Sequence, residues 1–201
     1  AAQLSLDAGA EQITIHLRED RRHIQDHDVP EVHQVCKKNK KLLNLEMGMT
    51  DEMLQIATLE KPDWICLVPE KRQERTTEGG LDVGPSQIER VRHFCDSLKK
   101  NLPQTKISLF VEGTPEVMKQ CLTVNCDAVE IHTGQYAIDF LHKKDLRHHL
   151  EMYKKSWEVF HSSGRGFHAG HGLTNESVLP LLEQGLFEEY NIGHWIISEA
   201  V

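Results

Sequence analysis

Short apolar runs alternate with longer stretches of helical periodicity, and each apolar run ends in polar or glycine-rich residues. The first run, Ile13-Thr14-Ile15, is short and β-branched, which reads as a buried strand over 13–17. Six further strands are expected at 42–47, 64–69, 106–111, 127–133, 166–174 and 190–195. Helices are expected between them at 26–41, 50–60, 85–101, from Thr114 onward, 145–162 and 176–184, with the start of another at 196–201. Residues 1–10 read as the end of an amphipathic helix with Gly9 as its C-cap. Asp28 is the expected N-cap of the 26–41 helix, with Pro30 in its first turn and Lys37, Lys38, Lys40 and Lys41 at its C-terminal end. Cations there complement the helix dipole and need no nucleic acid to explain them.

Regular alternation of strand and helix, with short connections, means a parallel sheet of βαβ units. An open doubly wound sheet carries its glycine-rich turn after the first strand; here the glycines come late, as they do at the phosphate site of many barrels. The α/β class expected is therefore a (β/α)8 TIM barrel, as one domain over 1–201. Such barrels run to ~250 residues, so a first strand and the end of the last helix are expected to lie outside this sequence. The polar stretch 70–82, with Thr76-Thr77-Glu78-Gly79-Gly80 at its centre, is long for a connection and reads as a functional loop, a candidate lid.

Composition narrows the partners. Net charge is −8, which disfavours nucleic acid and anionic membrane surfaces as main partners. No apolar run approaches the ~20 residues that cross a bilayer, and the five cysteines are scattered with no Cys-x-x-Cys pair. A cytoplasmic setting is expected.

One stretch concentrates charge: His16-Leu17-Arg18-Glu19-Asp20-Arg21-Arg22-His23. At the carboxyl end of a strand, three arginines and two imidazoles suit a phosphate or carboxylate ligand, although a salt-bridged solvated loop explains the same residues. Other strand ends bring Glu46, Glu130 and His171 to the same edge. Taken singly, each reads as a hydrogen-bonded core residue. Together with His16 they form an acid/base set whose environments can push their pKa values apart. The turns Ala169-Gly170-His171-Gly172-Leu173-Thr174 and Asn191-Ile192-Gly193-His194 could close backbone N–H groups on an anion. A zinc site from His16, His171 and His194 with Glu46 or Glu130 is a weaker alternative, because no strand carries a His-x-His pair. His148 and His149 are expected to face solvent.

The stretch from Ile13 to Ile24, Asn44-Leu45-Glu46-Met47, and Leu67-Val68-Pro69-Glu70-Lys71-Arg72-Gln73-Glu74 carry a resemblance. So do Glu130-Ile131-His132-Thr133-Gly134 with Tyr136, and both late glycine turns. On these motifs the chain resembles the pyridoxine 5′-phosphate synthase family of the deoxyxylulose-dependent vitamin B6 pathway. The resemblance implies a (β/α)8 barrel assembled as a homo-octamer, with no metal or organic cofactor. It implies condensation of 3-amino-2-oxopropyl phosphate with 1-deoxy-D-xylulose 5-phosphate to give pyridoxine 5′-phosphate, phosphate and water. It further implies general bases at Glu46 and His16, a general acid at His171 and charge stabilisation by Glu130. Arg18, His23 and Thr76 would hold the deoxyxylulose phosphate; Gly172, Gly193 and His194 would hold the aminoacetone phosphate. The chain has His168 where the family usually has asparagine, a change expected to tune the site. Two other classes compete: a metal-dependent barrel hydrolase, and an inactive fragment that only binds phosphometabolites.

Overall fold

The alternation within each strand resolves into a parallel sheet with two unlike faces. A computed structural model describes residues 1–70 and 79–199. Thr76, most of the 70–82 loop and the end of the 196–201 helix lie outside the described residues. The strands are β1 (Gln12–His16), β2 (Leu42–Met47), β3 (Trp64–Leu67), β4 (Lys106–Val111), β5 (Ala128–His132), β6 (Gly166–Gly170) and β7 (Glu189–Asn191). They pair in parallel, each with the next in sequence. Helix α1 (Ala2–Asp7) precedes β1, and α2 (Asp28–Asn39), α3 (Asp51–Glu60), α4 (Ile88–Asn101) and α5 (Pro115–Cys121) fill successive connections. Next come α6 (Gly134–Leu141), α7 (Arg147–Phe160), α8 (Leu179–Gln184) and α9 (His194–Glu199).

The outward residues of the strands are apolar: Ile15, Leu43, Leu45, Ile65, Leu67, Ile107, Leu109, Val129, Ile131 and Phe167 join the helices in one core. The inward residues are largely polar: Thr14, His16, Asn44, Glu46, Cys66, Ser108, Glu130 and His168. Barrel interiors are usually filled with branched aliphatics; here, among the described residues, Cys66, Val68 and Phe110 make a small apolar cluster inside. The sheet curls into a nearly closed barrel. Its first and last strands meet through side chains: Gln12 Nε2 donates to Glu189 Oε1 at 2.9 Å and the Thr14 hydroxyl to Asn191 Oδ1 at 2.9 Å.

Several predicted boundaries shift for local reasons. Asp28 is not the N-cap of α2; that position is His27, and Asp28 Oδ2 instead accepts from the Gln25 N–H at 2.7 Å, closing the preceding turn. Thr50 and Thr114 do cap α3 and α5, accepting from the N–H groups of Met53 and Val117. The helix expected from 85 begins at Ile88. Helix α6 was not expected. Its capping position, Thr133, makes no side-chain bond to the helix, because the hydroxyl is turned to the Gly170 and His171 carbonyls. The last strand stops at Asn191 because Gly193 leads directly into α9. His149 does not face solvent: its Nε2 lies 2.8 Å from Asp139 Oδ2 and its ring packs on Tyr136 and Tyr153.

Candidate active site

Parallel register places His16 directly opposite Glu46 at the carboxyl ends of β1 and β2. His16 Nδ1 lies 3.7 Å from Glu46 Oε2, and Nε2 lies 2.8 Å from Glu70 Oε1. The imidazole thus bridges two carboxylates. Glu70 follows β3, and its side chain is only 5% exposed. Its motif was visible in the sequence, but a contact across two strands has no local signal. Burial raises Glu46 above the usual carboxylate range, while His16 pulls it back. A carboxylate raised toward neutrality is a better proton acceptor than a solvated one.

Glu130 projects from β5 into the barrel and is 2% exposed. Its Oε2 accepts from Asn191 Nδ2 at 2.9 Å and from the Cys66 thiol at 3.7 Å. The amide orientation of Asn191 is set on its other side by the Thr14 hydroxyl, which in turn receives Asn44 Nδ2 at 3.3 Å. Burial drives Glu130 well above the carboxylate range, and the nearby carboxylates of Glu46 and Glu189 push it further. His168 reaches Glu130 only indirectly, through Glu189, whose Oε1 lies 3.9 Å away and accepts from Asn191 at 3.2 Å. The His168 ring packs edge-on against Trp64, and burial lowers its imidazole.

His171 sits in a turn with positive φ, 82°, followed by Gly172 at 77°. A non-glycine residue there is strained by about 1–3 kcal/mol and needs its surroundings to hold it. Thr133 does so: its hydroxyl lies 2.7 Å from the Gly170 carbonyl and 2.8 Å from that of His171, and its N–H donates to Gly170 O at 2.9 Å. The ring faces a cavity of about 940 Å³ lined also by Gly134, Ala137, Gly172, Thr174 and Trp195. Partial burial of the ring, with His132 and His194 nearby, lowers its pKa below the ordinary value.

The charged residues after β1 are largely engaged with one another. Arg21 is a staple: it pairs with Asp26 at 2.9 Å and Glu52 at 2.5 Å, and donates to the carbonyls of Arg18 and Glu19. Arg18 and Arg22 both pair with Asp20 at 3.1 Å, and Arg18 holds that carboxyl below its usual range. His23 is exposed on the same rim. Gly172 opens a loop that reaches α8 only at Leu179, so no helix terminus stands at that glycine. Gly193 and His194 are exposed at the start of α9. Among the described residues no group of three or more His, Cys, Asp or Glu side chains is arranged to hold a metal ion, so His16, His171 and His194 do not converge with Glu46 or Glu130 as a zinc site. Among the same residues no helix is long and apolar enough to cross a membrane.

Solved structures share the fold. An HpcH/HpaI aldolase from Desulfitobacterium hafniense superposes with a TM-score of 0.65 at 12% identity, over 99% of this chain and 83% of that one. A phosphoribosyl anthranilate isomerase from Thermus thermophilus gives 0.60 at 10% identity, over 95% and 80%. Sequence likeness is much closer elsewhere. A pyridoxine 5′-phosphate synthase of Geobacter metallireducens is 45% identical over 201 residues, covering 100% of this chain and 81% of that protein. One from Caulobacter vibrioides is 41% identical over 204 residues, covering 100% and 79%. The family described as "Pyridoxal phosphate biosynthesis protein PdxJ" matches residues 1–201, and with the polar-lined barrel and its paired carboxyl and imidazole groups, the chain belongs to that family.

Proposed function

We propose that this barrel joins 1-deoxy-D-xylulose 5-phosphate to 3-amino-2-oxopropyl phosphate, releasing pyridoxine 5′-phosphate, phosphate and water. The observation that supports the reading is the pairing of His16 with Glu46 across β1 and β2 beside the buried Glu130 of β5, with His171 in the turn after β6. Ring closure of this kind needs several proton transfers at carbon, nitrogen and oxygen near neutral pH. The substrate amine attacks a ketone, water leaves, and an imine forms; later steps expel phosphate and close the ring. Glu46 and His16 accept protons, with Glu70 fixing the His16 ring. His171 donates protons to departing oxygen. Glu130, enclosed in the barrel and bonded to Asn191 and Cys66, stabilises charge in the intermediates.

Arg18 and His23, with Thr76, hold the phosphate of the deoxyxylulose substrate. Gly172, Gly193 and His194 hold the phosphate of the amine. The same reading carries a cytoplasmic homo-octamer. Exposed Leu179, Leu182, Ile196 and Ile197 on α8 and α9 support assembly, since these side chains need cover. A binding experiment separates the two phosphate sites. Arg18→Ala is expected to weaken 1-deoxy-D-xylulose 5-phosphate by about 10- to 100-fold, the scale of a lost charge-assisted contact, and to leave 3-amino-2-oxopropyl phosphate within about 3-fold. Calorimetry with each substrate alone reads this directly; equal weakening of both would refute the assignment.

A further inference from the structure

A second carboxylate–imidazole pair stands beside the first set, and no step above uses it. Glu112 directly follows β4, and His132 ends β5. Their Oε1 and Nδ1 atoms lie 3.2 Å apart, with side chains 15% and 8% exposed. The opposite edge of the His132 ring faces the turn that carries His171. A Cβ added to Gly134 would lie 2.7 Å from His132 Nε2 and 3.1 Å from His171 Cδ2. The two imidazole centroids are 5.0 Å apart, and Phe110 packs edge-on against His132 at 5.1 Å and tilted against His171 at 6.1 Å.

The same carboxylate oxygen accepts the Gly80 N–H at 2.8 Å. Next along the chain, the Leu81 N–H donates to the Phe110 carbonyl at 2.7 Å. On the other side, a Cβ on Gly79 would lie 3.2 Å from the His132 ring. Residues 79–81 therefore return to the barrel on the carboxylate that grips His132.

We infer that Glu112 and His132 are a positioning pair that sets the protonation and orientation of His171 and fastens residues 79–81 to it. The inference rests on His171 being the proton donor. The Nδ1 contact with a carboxylate fixes the His132 ring. From 5.0 Å away, His132 lowers the His171 imidazole. His171 also faces His194 on α9, and its cavity carries Lys143, Lys144, Glu176 and Glu199. Of these, His132 is the group that contacts the ring and has its own counter-ion.

The test is an NMR titration of the histidine rings in the full chain, with His171 assigned by its loss in His171→Asn. His132→Asn and Glu112→Gln are each expected to raise the His171 pKa by about half a unit or more, the order of a close like-charge interaction. The alkaline limb of kcat should move up with it, KM for both substrates staying within about 3-fold while kcat at the plateau falls about 10-fold. An unchanged His171 titration in both folded variants would overturn the inference. The titration needs no turnover. A shifted His171 in a wild-type chain that makes no product would contradict the synthase reading and leave this coupling standing.

Discussion

Glu46→Gln is expected to lower kcat by at least about 100-fold, the scale of a lost general base, with little change in KM. The substitution keeps the volume of the side chain and its place opposite His16. What it removes is the capacity to take a proton, at a position where burial has raised that capacity. His16, held by Glu70 through Nε2 at 2.8 Å, serves a separate proton transfer. Steady-state turnover at neutral pH measures the effect. A variant within about 3-fold of wild type would show that the proton goes to another group, a loss far below what general-base removal costs.

Gly170→Ala is expected to be nearly as damaging for a different reason. A Cβ there would sit 2.0 Å from Glu130 Oε1, 2.9 Å from its Cδ and 3.2 Å from Asn191 Cβ. Glu130 cannot step aside cheaply, being enclosed in the barrel and held by Asn191 and Cys66. Displacing a reacting group by about 1 Å can cost 100-fold in rate, and overpacking a dense interior costs about 1–3 kcal/mol of stability. Denaturant unfolding and turnover should both show the loss. The cause is checked by the double variant Gly170→Ala/Glu130→Ala, expected to be no less stable than Glu130→Ala alone because the clash has gone. Additive destabilisation would place the strain elsewhere in β6.

The barrel was legible because strands and helices alternate regularly along the chain with short connections, and all seven expected strands form in order. The helix starts at Thr50 and Thr114 were legible because capping is local. The His16–Glu46 pair was legible for a related reason: both end adjacent parallel strands, and register brings them together. Long-range contacts were not legible. Three arginines after β1 read as a cationic rim, yet Arg21 is absorbed by Glu52 on α3. Glu112 and His132 follow the same rule as His16 and Glu46, since the register of β4 with β5 carries on to set them opposite each other. Helix α6 was missed because Thr133, its natural cap, spends its hydroxyl on the strained turn at His171.

The central claim is that the groups gathered at one end of this barrel close a pyridine ring from two phosphorylated substrates. The most direct measurement supplies the chain with 1-deoxy-D-xylulose 5-phosphate and 3-amino-2-oxopropyl phosphate and follows both products. Pyridoxine 5′-phosphate and free phosphate should appear in equal amounts and cease together in Glu46→Gln. A folded chain that binds both substrates and forms no pyridoxine 5′-phosphate, or releases phosphate without it, would contradict the account.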